Sequence, residues 1–375
     1  MSDPRIVHDY QRLLDRQEPV GRAVVTQVWG SAPRPTGAVM LATPSGAILG
    51  SVSGGCVENA VAQEVADAIA RGTAKLVTYG VSDETAWEVG LSCGGSISVF
   101  VEPAVRDWVL DAAGGGGGVV IATVVKDPEL PGASWLLRDD GDSEPIAPPP
   151  GTSADARDAA MHRFDAILDQ VADAARDVLA RNTSRTEEFT TSGGESLTVL
   201  LELFPRQPKL VVFGGVHVAQ ALTSLARPLG FRTYVADGRA AWLTRERFPE
   251  ADELVLAWPE EAFAKVGLDA ATYVCVLSHD PKFDEPALEI ALRSPAAYVG
   301  AIGSRKTQAK RRDRLKAAGF TESELSRLHG PIGLDLGGRE PAEIALAILA
   351  EMTAVRYGGT EGREKGGKGE GEQGS

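Results

Sequence analysis

Two short stretches place a cysteine among small residues. In Ser51-Val52-Ser53-Gly54-Gly55-Cys56-Val57-Glu58, a glycine pair precedes a thiol and a carboxylate. Gly54 and Gly55 let the backbone approach a ligand closely and offer amide donors. Cys56 falls at or near the start of an apolar helical pattern, where the helix dipole favours a thiolate. Glu58 is a candidate acid or base, or a carboxylate favouring the first helical turn. Leu91-Ser92-Cys93-Gly94-Gly95 repeats the same chemistry. Two such neighbourhoods in one domain suggest a shared site, with Cys56 and Cys93 able to ligate a soft metal or a thiolate-binding cofactor. Each stretch taken alone also fits a small structural cysteine in a tight turn. Cys275 lies inside an apolar run and reads as core.

A different chemistry is written in Lys209-Leu-Val-Val-Phe-Gly-Gly-Val-His-Val-Ala-Gln. A buried strand runs into a glycine turn and then a helix, the order of a dinucleotide-binding fingerprint. Gly214 and Ala219 fit its first and last positions, and Gly215 and His217 flank the middle one. That middle position is Val216, whose methyls stand where a pyrophosphate would approach the backbone. Asp237 ends the next strand, where an acid usually holds a ribose hydroxyl. Further on, Ser278-His279-Asp280-Pro281-Lys282 and Gly300-Ala301-Ile302-Gly303-Ser304-Arg305 follow two more strands. His279 and Lys282 are candidates for proton transfer, and Gly303, Ser304 and Arg305 at a helix start suit an anion. The loop His329–Asp335 is expected to border the same cleft.

The elements that must position these residues change rhythm midway. A helix is expected over Ile6–Gln17, a strand over Ala23–Val28 and a hairpin across Thr43–Gly46. The Cys56 helix should stop at Gly72, and strands follow at Lys75–Tyr79 and Ile97–Glu102. The five glycines from Gly114 to Gly118 read as a mobile turn, and Asp139–Gly151 as a surface loop. Strands at Val119–Val125 and Ser134–Leu137, one long helix over Asp155–Ala180 and a strand at Leu197–Phe204 complete this half. From Lys209 short apolar strands alternate with helices, which predicts a parallel sheet covered on both faces. The fold class is therefore α/β: an N-terminal mixed α+β domain over 1–204, a linker at 205–208 and a Rossmann-like doubly wound domain over 209–357. The Gly-, Glu- and Lys-rich tail, 358–375, is expected to be disordered.

Composition limits the partners. The 375 residues are 43% hydrophobic and 24% charged, with a net charge of −14. An acidic chain repels nucleic acid and anionic membranes as general partners. Three widely spaced cysteines do not form a secreted disulfide framework or a zinc spacing. No apolar leader or membrane span is legible, so the expected location is the cytoplasm.

Taken together, these strings resemble the XdhC/CoxI family, over about Gly21 to Tyr357. The residues that carry the resemblance are Ser51–Glu58, Leu91–Gly95, Ser278–Asp284, Gly300–Arg305 and Pro331-Ile-Gly-Leu-Asp-Leu-Gly-Gly-Arg-Glu-Pro-Ala-Glu-Ile-Ala. Members of that family often have a second glycine where this chain has Val216; His217 is kept. The resemblance implies an accessory factor, not an enzyme in its own right: it binds molybdenum cofactor and assists its sulfuration and insertion into a xanthine dehydrogenase-type molybdenum hydroxylase. Cys56 and Cys93 would then lie near molybdenum. A cysteine desulfurase and a homodimer are expected with it. The chain lacks the cysteine pattern of a [2Fe–2S] cluster, as an accessory factor would. Two rival readings stand beside it: an NAD(P)-dependent oxidoreductase using His279 and Lys282, and a binding module with a vestigial nucleotide cleft.

Overall fold

The computed structural model describes residues 6–31, 33–80, 95–114, 118–126, 132–138, 142–146 and 154–358. Cys93, Gly94, most of the Gly114–Gly118 run and the 359–375 tail lie outside the described residues. The chain divides into two units, Met1–Arg206 and Gln207–Ser375.

The first unit opens with helix α1 (Ile6–Leu14), followed by strands β1 (Gly21–Trp29), β2 (Val39–Ala42) and β3 (Ile48–Gly50). Helix α2 (Glu58–Arg71) ends at Gly72, which takes the left-handed conformation (φ 67°) that favours glycine. Strands β4 (Lys75–Tyr79) and β5 (Ser96–Glu102) close an antiparallel sheet of order β3-β2-β1-β5-β4. After α3 (Asp107–Gly114) the same plan recurs. Strands β6 (Val119–Lys126), β7 (Ser134–Arg138) and β8 (Ser143–Ile146) precede helices α4 (Ala154–Asp165) and α5 (Leu168–Arg181). Strands β9 (Arg185–Thr190) and β10 (Ser196–Phe204) complete a second sheet of order β8-β7-β6-β10-β9. The unit is thus built from two copies of one strand-and-helix pattern.

Both faces of each sheet are covered, so the central strands read as continuous apolar runs. Ala23 and Val25 of β1 face α2 through Val61 and Val65. Val24, one residue out of phase, packs with Phe100, Val125 and Leu200 between the two sheets. That inter-sheet layer also buries a charge cluster. Arg22 is 1% exposed and donates to Glu102 of β5 (Nη1 to Oε2, 2.6 Å) and to Glu202 of β10. Burial opposes its charge, yet the two carboxylates hold its pKa above the ordinary arginine value. Arg106 adds a second cation on Glu102 at 2.7 Å.

Two expectations need correction here. The long helix over Asp155–Ala180 is two helices: the chain breaks at Ala166-Ile167, where Phe164 stacks on Trp135 with ring centroids 3.4 Å apart and Ile167 enters the core. The expected surface loop 139–151 contains strand β8, paired to β7 at the sheet edge. Strand β9 and helix α3 were not anticipated.

The second unit holds a six-stranded parallel sheet: β11 (Lys209–Phe213), β12 (Arg232–Asp237), β13 (Glu253–Leu256), β14 (Thr272–Val276), β15 (Tyr298–Ala301) and β16 (Leu328–His329). Its order, β13-β12-β11-β14-β15-β16, is that of a doubly wound Rossmann-like sheet, with the direction of winding reversing between β11 and β14. Helices α7 (Pro259–Val266), α8 (Pro281–Arg293), α9 (Arg305–Ala317) and α10 (Glu322–Ser326) lie on one face. Helices α6 (His217–Ala226) and α11 (Pro341–Arg356) cover the other. The N-terminal unit with antiparallel sheets and the Rossmann-like unit are the two parts expected from the change of rhythm.

Candidate functional site

The Cys56 loop connects β3 to α2 and is organised by one carboxylate. Glu58 Oε1 accepts from the Ser51 hydroxyl (2.6 Å), the Val52 amide (3.2 Å) and the Ser53 amide (2.9 Å). Its Oε2 accepts from the Ser53 hydroxyl (2.6 Å) and the Gly55 amide (2.9 Å). The Ser51 and Ser53 hydroxyl oxygens then accept from the Gly54, Cys56 and Val57 amides at 2.8–3.0 Å. Burial pushes the Glu58 carboxyl up, but the Ser51 and Ser53 donors outweigh it and bring the pKa down to about 2. Glu58 is therefore ionised at neutral pH and holds no proton to donate. Its place is that of an anchor for the loop.

The glycines permit this wrapping. Gly54 and Gly55 have φ values of +81° and +118°, a region that L side chains rarely adopt. Their amides, expected as donors to a ligand, are instead donated to Ser51 and Glu58. Cys56 is exposed and precedes the helix N-cap Val57 by one residue.

Gly95, the described end of the second cysteine stretch, is buried at the start of β5. A Cβ there would lie 2.6 Å from the Ser31 carbonyl oxygen, so the backbones meet directly. A Cβ at Gly54 would stand 3.3 Å from the Pro33 ring, two residues along the same turn. Gly54 of the Cys56 loop and Gly95, just before β5, thus approach Pro33 and Ser31 respectively, at the same end of the first sheet.

In the Rossmann-like unit the candidate residues gather at the carboxyl ends of β11, β12, β14 and β15. Gly214 (φ +111°) abuts the next loop: a Cβ would lie 2.6 Å from the Ser278 amide nitrogen. Gly215 meets the carbonyl of Trp242, which a Cβ would approach to 2.5 Å. Val216 caps α6 and packs onto the core beneath it, while His217 is exposed. Asp237 is 1% exposed and fully engaged. Its Oδ2 accepts from the Gly215 amide and Arg239 Nη2, and its Oδ1 from the Arg239 amide and Nε, all at 2.9 Å. Burial raises its pKa and these donors lower it, with a net fall.

His279 and Lys282 are exposed on the loop and first turn of α8, whose N-cap Asp280 accepts from the Lys282 amide. Gly303 has φ +134°. Ser304 caps α9 by accepting from the Thr307 amide at 3.2 Å. Arg305 is 87% exposed and stands 3.9 Å from Asp335. The structure adds a buried group that the sequence reading missed. Asp284, beneath the Ser278–Asp280 loop, pairs with Arg311 at 3.1 Å, both nearly inaccessible. Burial pushes the Asp284 carboxyl up to about 6, against the opposing pull of Ser278, Arg311 and His279.

An exposed thiol on a carboxylate-pinned glycine loop, carried by a chain with a Rossmann-like second unit, defines a two-unit protein with a cysteine loop of its own. The family model described as "XdhC and CoxI family" matches residues 13–80, and the "XdhC Rossmann domain" model matches residues 210–352. The chain belongs to the XdhC/CoxI family. It is 27% identical to a Bacillus subtilis protein named as a probable subunit of xanthine dehydrogenase, over 92% of this chain and 95% of that protein. It is 25% identical to the molybdenum cofactor insertion chaperone PaoD of Escherichia coli, over 90% of this chain and 84% of that protein. A crystal structure described as a xanthine dehydrogenase from Bacillus halodurans shares the fold, with a TM-score of 0.70 at 22% identity, covering 97% of this chain and 98% of the other. No helix among the described residues is long and apolar enough to cross a membrane.

Proposed function

We propose that this chain is an accessory protein that binds molybdenum cofactor as cargo and assists its sulfuration and insertion into a xanthine dehydrogenase-type molybdenum hydroxylase. The observation that carries the reading is the Cys56 thiol, exposed on a loop whose amides are tied inward to Glu58, Ser51 and Ser53. A cysteine exposed on an anchored loop suits capture of a soft metal centre and its later release. The likeness to the chaperone PaoD over most of both chains supports it. In this reading Cys93, two residues before Gly95 in the sequence, serves the same cargo.

A cysteine desulfurase is the partner that supplies sulfur, and the working form is a homodimer; co-elution with the desulfurase and sedimentation velocity test these two points. The main reading is tested by reconstituting a cofactor-free hydroxylase. Cofactor delivered on this chain should activate it faster than the same amount of unbound cofactor. Equal rates would overturn the insertion role.

The contacts oppose the nicotinamide reading. Val216 replaces the glycine that lets a backbone approach pyrophosphate, and Asp237 has both oxygens engaged by Gly215 and Arg239. His279 and Lys282 then have no bound hydride carrier to serve.

A further inference from the structure

Helix α11 is apolar on both of its long faces. Ala345, Ile348, Leu349 and Met352 are buried in the core that it shares with α6 and the parallel sheet. On the opposite face Leu346 and the C-cap Tyr357 are 56% and 50% exposed, with half-buried Ala350 and exposed Thr353 between them. These four positions are spaced 4, 3 and 4 residues apart, the rhythm of a helix–helix seam. A surface helix turns charge toward water, whereas one that is apolar all round is covered on both sides. Helix α6, which packs beside α11, adds exposed Leu225 and, just beyond its end, exposed Leu229. The tail beyond α11 is not suited to cover this face, since 359–375 holds no residue with an apolar side chain.

A second α11 fits it. The helix carries Glu343 in its first turn and Arg356 in its last. Two copies laid antiparallel bring these opposite charges toward each other and oppose their helix dipoles, whereas a parallel pair sets like ends side by side. In the antiparallel register Leu346 of one copy meets Tyr357 of the other, and Ala350 meets Thr353, so large side chains close the ends and small ones let the backbones approach at the centre. The pairing is isologous, the kind that a two-fold dimer requires. We propose that the outer face of α11, flanked by Leu225 of α6, is a two-fold dimer interface whose occupant is a second copy of this chain. The inference rests on the homodimer of the reading above and names its surface.

The test is sedimentation velocity of the full chain over a range of micromolar concentrations, with far-ultraviolet circular dichroism to check the fold of each variant. The wild type should sediment as a dimer. Leu346→Glu and Tyr357→Glu each place a charge in the apolar seam and should raise the dimer dissociation constant roughly tenfold or more. Both side chains are half exposed or more, so the fold is not at stake. Leu256→Glu, on β13 and 58% exposed, should sediment like the wild type. Thr353→Leu enlarges the apolar seam opposite a small alanine and should lower the dissociation constant, a gain that a purely internal role for α11 does not produce. A monomeric wild type would overturn this proposal and the homodimer reading together. Wild-type dimerisation retained in both Leu346→Glu and Tyr357→Glu, or a dimer loosened by Thr353→Leu, would overturn this surface and leave the homodimer reading in place.

Discussion

The Glu58 carboxylate takes both polar hydrogens of Ser53, the amide at 2.9 Å on Oε1 and the hydroxyl at 2.6 Å on Oε2. Through this pair helix α2 carries the loop that leads into it: Ser53 in turn accepts from the Cys56 and Val57 amides. Cys56 is therefore positioned by Glu58 through Ser53.

Removing that anchor should loosen the loop more than it harms the fold. Glu58→Ala leaves the Ser51 and Ser53 hydroxyls and three amides without their acceptor, and a charged hydrogen-bond acceptor contributes about 2 kcal/mol. Urea unfolding should register a loss of that order, and alkylation of Cys56 by iodoacetamide should change rate. An unchanged alkylation rate would contradict the positioning role.

The same clamp predicts an acid response. The folded Glu58 pKa of about 2 lies below the ordinary 4.5, so its contribution to stability is complete above about 4.5 and is lost as pH falls toward 2. Unfolding free energy measured from pH 6 to pH 2 should fall less steeply in Glu58→Gln than in the wild type. Parallel curves would show that Glu58 is not held as described.

Asp284 should act in the opposite direction. Its folded pKa is raised from 3.8 to about 6, so its contribution is complete below 3.8 and is lost as pH rises through 6. Asp284→Asn should flatten the pH dependence of stability between those values. A wild-type slope in the variant would place the titration elsewhere.

Arg22 joins the two sheets of the first unit, so its loss should be costly. Arg22→Ala leaves Glu102 and Glu202 buried without their shared cation, and breaking a buried pair costs about 3–5 kcal/mol. A loss below about 1 kcal/mol in urea unfolding would contradict the role assigned to this cluster.

What the sequence made legible follows from where each signal resides. Strand β14 is buried at every position and follows Thr272 with an apolar run, and α2 ends at a glycine that takes the left-handed conformation, so both could be read directly. Strands β8 and β9 sit at sheet edges; β8 carries Pro145 and a charged residue, and β9 buries little beyond Phe189, so neither shows a buried pattern. The cysteine strings stood out as unusual runs, but the Glu58 clamp is a matter of hydrogen-bond direction that residue order does not encode. Arg22 and Glu202 are 180 residues apart and meet only because two sheets face each other. Asp237 was found by its position after a strand. That Arg239, two residues later, turns back to occupy it required coordinates.

The most direct measurement is anaerobic equilibrium binding of molybdenum cofactor to the full chain and to Cys56→Ala. The proposed role predicts micromolar or tighter binding by the wild type, weakened at least tenfold by the substitution. Absence of binding by the folded wild-type chain, or equal affinity in Cys56→Ala, would contradict it.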